Sequence, residues 1–132
     1  MALSLRLSAR TALAQAIITD AGNGAKLKLY NGAKPASLGA PAGTLLATLT
    51  FTGVPIGVAV AGAIDFDEAS AAQTNSAHVA GTPTFARIST SADVAVADID
   101  IAAGAGNWQF SGTVATGQNV TLTSLVFTAG NP

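Results

Sequence analysis

From Lys26 onward, apolar side chains recur at every second position in one short run after another, the period of a strand with one buried face. In 26–30, Leu27 and Leu29 point one way and Lys26 and Lys28 the other, so the lysines mark a solvent side. In 44–51, Leu45, Ala47, Leu49 and Phe51 share a face opposite Thr44, Thr48 and Thr50. The run 58–66 continues the alternation, with Val58, Val60, Ile64 and Phe66 inward and Ala59, Ala61, Ala63 and Asp65 outward. Two further strands are expected at 82–89 and 93–101. In the second, Val94 and Val96 have one parity and Ile99 and Ile101 the other, which a β-bulge near Ala97 and Asp98 reconciles. A similar slip recurs where Val120 and Leu122 precede Leu125 and Phe127, with Ser124 at the change, after a short strand carrying Trp108 and Phe110.

The first 24 residues follow another rule. Ser8 stands where an N-cap would, Ala9, Leu13, Ala16 and Ile17 fall at helical spacing, and Gly22, Asn23 and Gly24 form a stop. The spacing predicts one short amphipathic helix over 9–20. Before it, Leu3, Leu5 and Leu7 alternate with Ser4 and Arg6, an extended arm that needs an apolar surface to lie on. The apolar residues after Arg10 are interrupted by Thr11 and Gln15, too short and polar a stretch for a membrane span and without a convincing cleavage site, so it reads as part of the mature domain. The expected fold is therefore mainly β, with about seven or eight strands and one short N-terminal helix, and no alternation of helix with strand. A β-sandwich is the economical arrangement, a jelly roll among its windings. One domain is expected over 1–132, with 1–24 forming arm and helix and 25–132 the strands.

Charge is scarce: 10% of residues are charged against about 25% in an average soluble domain, 49% are hydrophobic, and the net charge is −1. The exterior must then be built of Thr, Ser, Asn, Gly and Ala, which gives little colloidal repulsion and points to a surface covered by assembly. The strand edges carry few Lys, Glu or Pro residues to discourage pairing, so the arm, the polar loop 68–81 or another subunit is expected to cover them. Six basic and seven acidic side chains, scattered along the chain, make no electrostatic footprint for a polyphosphate backbone, and nucleic acid is not an expected partner. Cysteine is absent, which removes disulfides, thiolate nucleophiles and thiolate metal ligands together.

Little is left that could carry chemistry. His78 is the single histidine, in the small-residue loop, with no G-x-S-x-G elbow elsewhere, and it reads as a solvated bystander. Asp65, Asp67 and Glu68 are the densest carboxylates but lack the spacing of a calcium loop. Asp98 and Asp100 alternate with Ile99 and Ile101 and read as the wet face of a strand. The glycine-bearing turns at 23–25 and 103–106 are neither phosphate loops nor dinucleotide fingerprints. Trp108 and Phe110 could offer a platform to a sugar or a base, but at 5% aromatic content they read as core. The sequon at Asn119 has no meaning without a secretory context. No catalytic, cofactor-binding or metal-ligating residue is expected, and the chain is not expected to be an enzyme.

Several stretches together resemble small virion structural proteins of tailed bacteriophages: the N-terminal helix, KLKLYNGAKPA at 26–36, GTLLATLTF at 43–51, FARISTSADVAVADIDI at 85–101 and NVTLTSLVFTAGN at 119–131. The similarity is one of layout and local phrasing over most of the chain, and around 89–93 the sequence is less charged than that phrasing. The resemblance implies a protein made in the host bacterial cytoplasm that decorates or cements the capsid, on the outer lattice of the major capsid protein, as a dimer or trimer. In that reading Leu3, Leu5, Leu7, Leu13 and Ile17 form the interface with the shell or a sister subunit. The alternative is a tail or fibre component or carbohydrate-binding β-sandwich, using loops around Trp108 and His78. Neither reading calls for a membrane.

Overall fold

The computed structural model describes residues 4–53, 55–66, 71–73, 79–101 and 126–128. Among these residues the chain is mainly β, with one α-helix and two antiparallel sheets. Helix α1 (Leu7–Ala21) precedes β1 (Lys26–Tyr30), β2 (Leu45–Phe51), β3 (Gly57–Val60), β4 (Ala63–Phe66), β5 (Ala71–Gln73), β6 (Phe85–Ser89), β7 (Ala95–Asp100) and β8 (Val126–Thr128). The larger sheet runs β5-β2-β1-β6-β7 and the smaller β3-β4-β8. The stretch 68–81, expected as a loop, contributes β5, which adds to β2 through Leu49 to Gln73, Thr50 to Ala72 and Phe51 to Ala71.

Helix α1 ends where its glycines require. Gly22 takes φ +69°, open to a residue without Cβ, and its N–H donates to Ile18 O at 3.1 Å. Its start differs from expectation: Arg6 is the N-cap, in extended backbone with no side-chain cap, and Ser8 lies exposed within the first turn. Leu7 is accordingly helical and not part of an extended arm. Ala14, Ile18 and Ala21 are buried, with Ile17 packed beside them.

Two bulges set the core face of the large sheet. Leu29 pairs with Ala47 but Tyr30 with Leu45, so Leu46 is an extra residue in β2. It turns inward and is buried, while Leu45, expected inside, is 38% exposed. In β7, Ile88 pairs with Ala97 but Ser89 with Ala95, which makes Val96 the extra residue. Val96 packs against the core, as do Ile99 and Ile101 of opposite parity, so the expected bulge is present one or two residues earlier than predicted, but Val94, expected inside with Val96, precedes β7 and is 61% exposed.

The run 58–66 is a hairpin and not one strand. Val58 pairs with Asp65 and Val60 with Ala63, and paired residues share a face. Even positions of β3 therefore lie with odd positions of β4. Ile64 and Phe66 are buried as expected, but Val58 and Val60 are 56% and 59% exposed. The two linking residues, Ala61 and Gly62, have φ of +51° and +79°, the signs a type I′ turn requires. An alanine resists this conformation, whereas asparagine tolerates it. Ala61→Asn should raise the denaturation midpoint, with a gain of about 1 kcal/mol, and a lower midpoint would refute the strain.

One core joins these parts. Leu27 and Leu29 of β1, Leu49 and Phe51 of β2, Ala86 and Ile88 of β6, and Ile64 and Phe66 of β4 form a single cluster with the buried face of α1. The rings of Phe51 and Phe66 stack at 5.7 Å and link the two sheets directly.

Candidate interaction surface

The outer face of the large sheet carries a set of paired polar side chains. Registers put Thr48, Lys28, Arg87 and Asp98 in one row and Thr50, Lys26, Ser89 and Ala95 in the next. This face was expected to be wet, yet Arg87 and Ser89 are buried. Arg87 meets Asp98 in a two-pronged pair, Nε to Oδ1 at 2.7 Å and Nη2 to Oδ2 at 2.8 Å, and Nη2 also donates to Gly39 O at 2.8 Å. The hydrogen bonds that Arg87 donates to Asp98 raise the Arg87 pKa further, against the opposing effect of burial. The connection between β1 and β2 thus lies over the sheet. Lys34 pins it again, 3.0 Å from Asp100. Tyr30 and Phe85, stacked at 5.1 Å, fill the adjacent row.

Asp93 sits in the β6–β7 turn with φ +66°, where Asp93 N–H donates to Thr90 O at 3.0 Å. Its Oδ1 lies 2.9 Å from Lys26 Nζ and 2.7 Å from Lys28 Nζ. Hydrogen bonds from Lys28 and then Lys26 lower its pKa from 3.8 to about 2. Because the folded chain holds the carboxylate more firmly than the unfolded chain does, the resulting stabilisation is complete above pH 3.8 and fades as pH falls through about 2. Asp93→Asn keeps a residue that accepts positive φ but removes the charge. Its denaturation midpoint should change less than that of the wild type between these limits, and high salt should narrow the difference; parallel pH profiles would exclude the clamp.

With Lys26, Lys28, Lys34 and Arg87 paired, Arg6 and Arg10 are the cations without a carboxylate partner among the described residues. Both belong to the start of α1, where the first turn holds no acid and the cap makes no side-chain hydrogen bond. Arg10 Nε is buried without a partner, and its side chain lies over Gly62. Thr11 ties the elements together: its hydroxyl donates to Leu7 O at 3.0 Å and accepts from Gly62 N–H at 2.9 Å. A shallow groove results, lined by Arg6, Leu7, Ser8, Thr11 and Ala61. Val60 and Val58 follow from Ala61 on the outward face of β3, where both are exposed and Asp65 pairs with Val58.

The residues expected to form an interface are only partly brought together. Leu7, 50% exposed, lines the groove. Leu13 is 48% exposed, but six helical positions place it roughly 120° around the axis from Leu7. Ile17 packs against the core, and Leu5 is half-buried. Leu3 lies outside the described residues, as do His78, Asp67, Glu68, Trp108, Phe110 and Asn119. Val58 and Val60 were missed, because their place outside depends on a turn that leaves the alternation intact. Among the described residues no three or more His, Asp or Glu side chains gather to hold a metal ion, and no helix is long and apolar enough to cross a membrane. No known protein family, curated protein or solved structure matches this chain.

Proposed function

We propose that this chain is a non-enzymatic structural protein of a bacteriophage virion that decorates and cements the capsid, bound to the outer lattice of the major capsid protein as a homo-oligomer. The observation that carries the reading is the exposure of Leu7, Val60 and Val58, with Leu7, Arg6 and Ala61 lining one groove, on a chain with only 10% charged residues. Apolar side chains this exposed favour a covering partner, since burying them stabilises at about 25 cal/mol per Å². Arginines at an uncapped helix start favour a partner that brings carboxylates. On a lattice of identical neighbours, individually weak contacts add up. The stacked rings of Phe51 and Phe66 between two antiparallel sheets support a β-sandwich, with a jelly roll as its finer form. Cement binding predicts that Leu7→Asp and Val60→Asp, both at exposed positions, leave the fold intact and strip the protein from particles, as does deletion of residues 1–8. Full occupancy of capsids by all three variants, seen by particle imaging, would overturn the proposal.

A further inference from the structure

We propose that Asn23 is a site of spontaneous covalent modification, in which its side chain closes onto the backbone nitrogen of Gly24. The chain holds two Asn-Gly pairs, at 23–24 and 31–32. In the reaction the deprotonated backbone nitrogen of the glycine attacks the asparagine Cγ. A C–N bond forms, the bond to the amide nitrogen breaks, and ammonia leaves a five-membered succinimide. Water then opens either carbonyl to give aspartate or isoaspartate. Glycine favours the closure because it places no Cβ beside the attacking nitrogen and lets the backbone turn freely.

The fold treats the two pairs differently. Asn23 is exposed in the turn between α1 and β1, and Gly24 has φ +71°. Neither the Asn23 side chain nor the Gly24 N–H makes a hydrogen bond among the described residues. Asn31 is held at both ends: its Oδ1 accepts Thr44 N–H at 2.6 Å and its own N–H donates to Thr44 O at 3.1 Å. A Cβ on Gly43 would fall 1.8 Å from Asn31 O, so backbone closes over this residue. The Asn31 side chain must give up its bond before it can reach Gly32 N, and breaking such an anchor slows closure at Asn31 by at least about tenfold relative to Asn23.

The product would alter the link between helix and sheet. A new carboxylate would stand at the C-terminal end of α1, near Asp20, in a helix whose last turn has no basic residue, and negative charge there opposes the helix dipole. Isoaspartate would also add a backbone atom within residue 23, two positions before Ala25, which is buried and whose carbonyl accepts Phe51 N–H at 2.9 Å.

The test is to incubate the whole folded chain at mildly alkaline pH and follow each asparagine by peptide mass mapping. Conversion is expected at Asn23 at least about tenfold faster than at Asn31 in the folded chain, and at comparable rates in denaturant, where both anchors are gone. Asn23→Gln should abolish the early product without changing Asn31, and the aged wild type should exchange its Phe51 amide faster than fresh protein. Equal rates at the two sites in the folded chain, or no conversion at Asn23 above that of the asparagines lacking a following glycine, would overturn the assignment.

Discussion

Replacing Asp98 by asparagine is expected to remove about 3–5 kcal/mol of folding free energy, measured by denaturant unfolding, because it leaves the Arg87 charge buried without its counter-ion. The side chains of Arg87 and Asp98 are 8% and 5% exposed, so water cannot replace the missing partner. A domain of this kind is stable by only about 5–15 kcal/mol, and the variant should sit near the threshold of unfolding at ambient temperature. The pair itself is a weaker source of stability than its loss implies, since two charges must be desolvated to form it. Arg87→Met combined with Asp98→Leu should therefore recover most of the loss. Recovery should stop short of the wild type, because Gly39 O would lose the donor that Arg87 provides at 2.8 Å, at a cost of about 1–3 kcal/mol. A single Asp98→Asn variant within 1 kcal/mol of the wild type would mean that the connection between β1 and β2 does not seal this face.

That pair was hidden in the sequence for a definable reason. Alternation tells which side chains share a face of a strand, and it placed Asp98 and Asp100 together opposite Ile99 and Ile101, which is how they lie. It says nothing about what crosses over that face. Asp100 stays half in water beside Lys34, while Asp98 lies beneath the segment that carries Gly39. Parity alone was enough to reveal the bulge in β7, because valine and isoleucine changed phase around alanines and aspartate. It was blind to the bulge in β2, where Leu45 and Leu46 are the same residue type and either one suits the core. The hairpin tip at Ala61 and Gly62 was concealed by the opposite accident: a two-residue turn reverses which parity faces inward without interrupting the apolar pattern. The exposure of Val58 and Val60 depends on that reversal, so Leu7 was legible as an interface residue, though in an extended arm and not in the helix, while the two valines were assigned to the core.

The second large effect is expected at the joint between the sheets. Phe51 is fully buried in β2 and its ring stacks on Phe66 of β4, which is 2% exposed. Phe51→Ala removes a ring from a close-packed core that can only partly collapse, and the expected loss is about 3–5 kcal/mol. Phe66→Ala should lose a similar amount, whereas Phe51→Leu, which keeps most of the volume, should stay within about 1.5 kcal/mol. If the two rings hold the sheets together through their own contact, the double alanine variant should be less destabilised than the sum of the singles, by about 0.5–1.5 kcal/mol. Val58→Ala supplies the contrast. Its parent side chain has the same inward parity in the bare sequence but is 56% exposed, so the change should stay within about 0.5 kcal/mol. A Val58→Ala loss comparable to that of Phe51→Ala would place the valine back in the core and remove the exposed strand face that the proposed assembly uses.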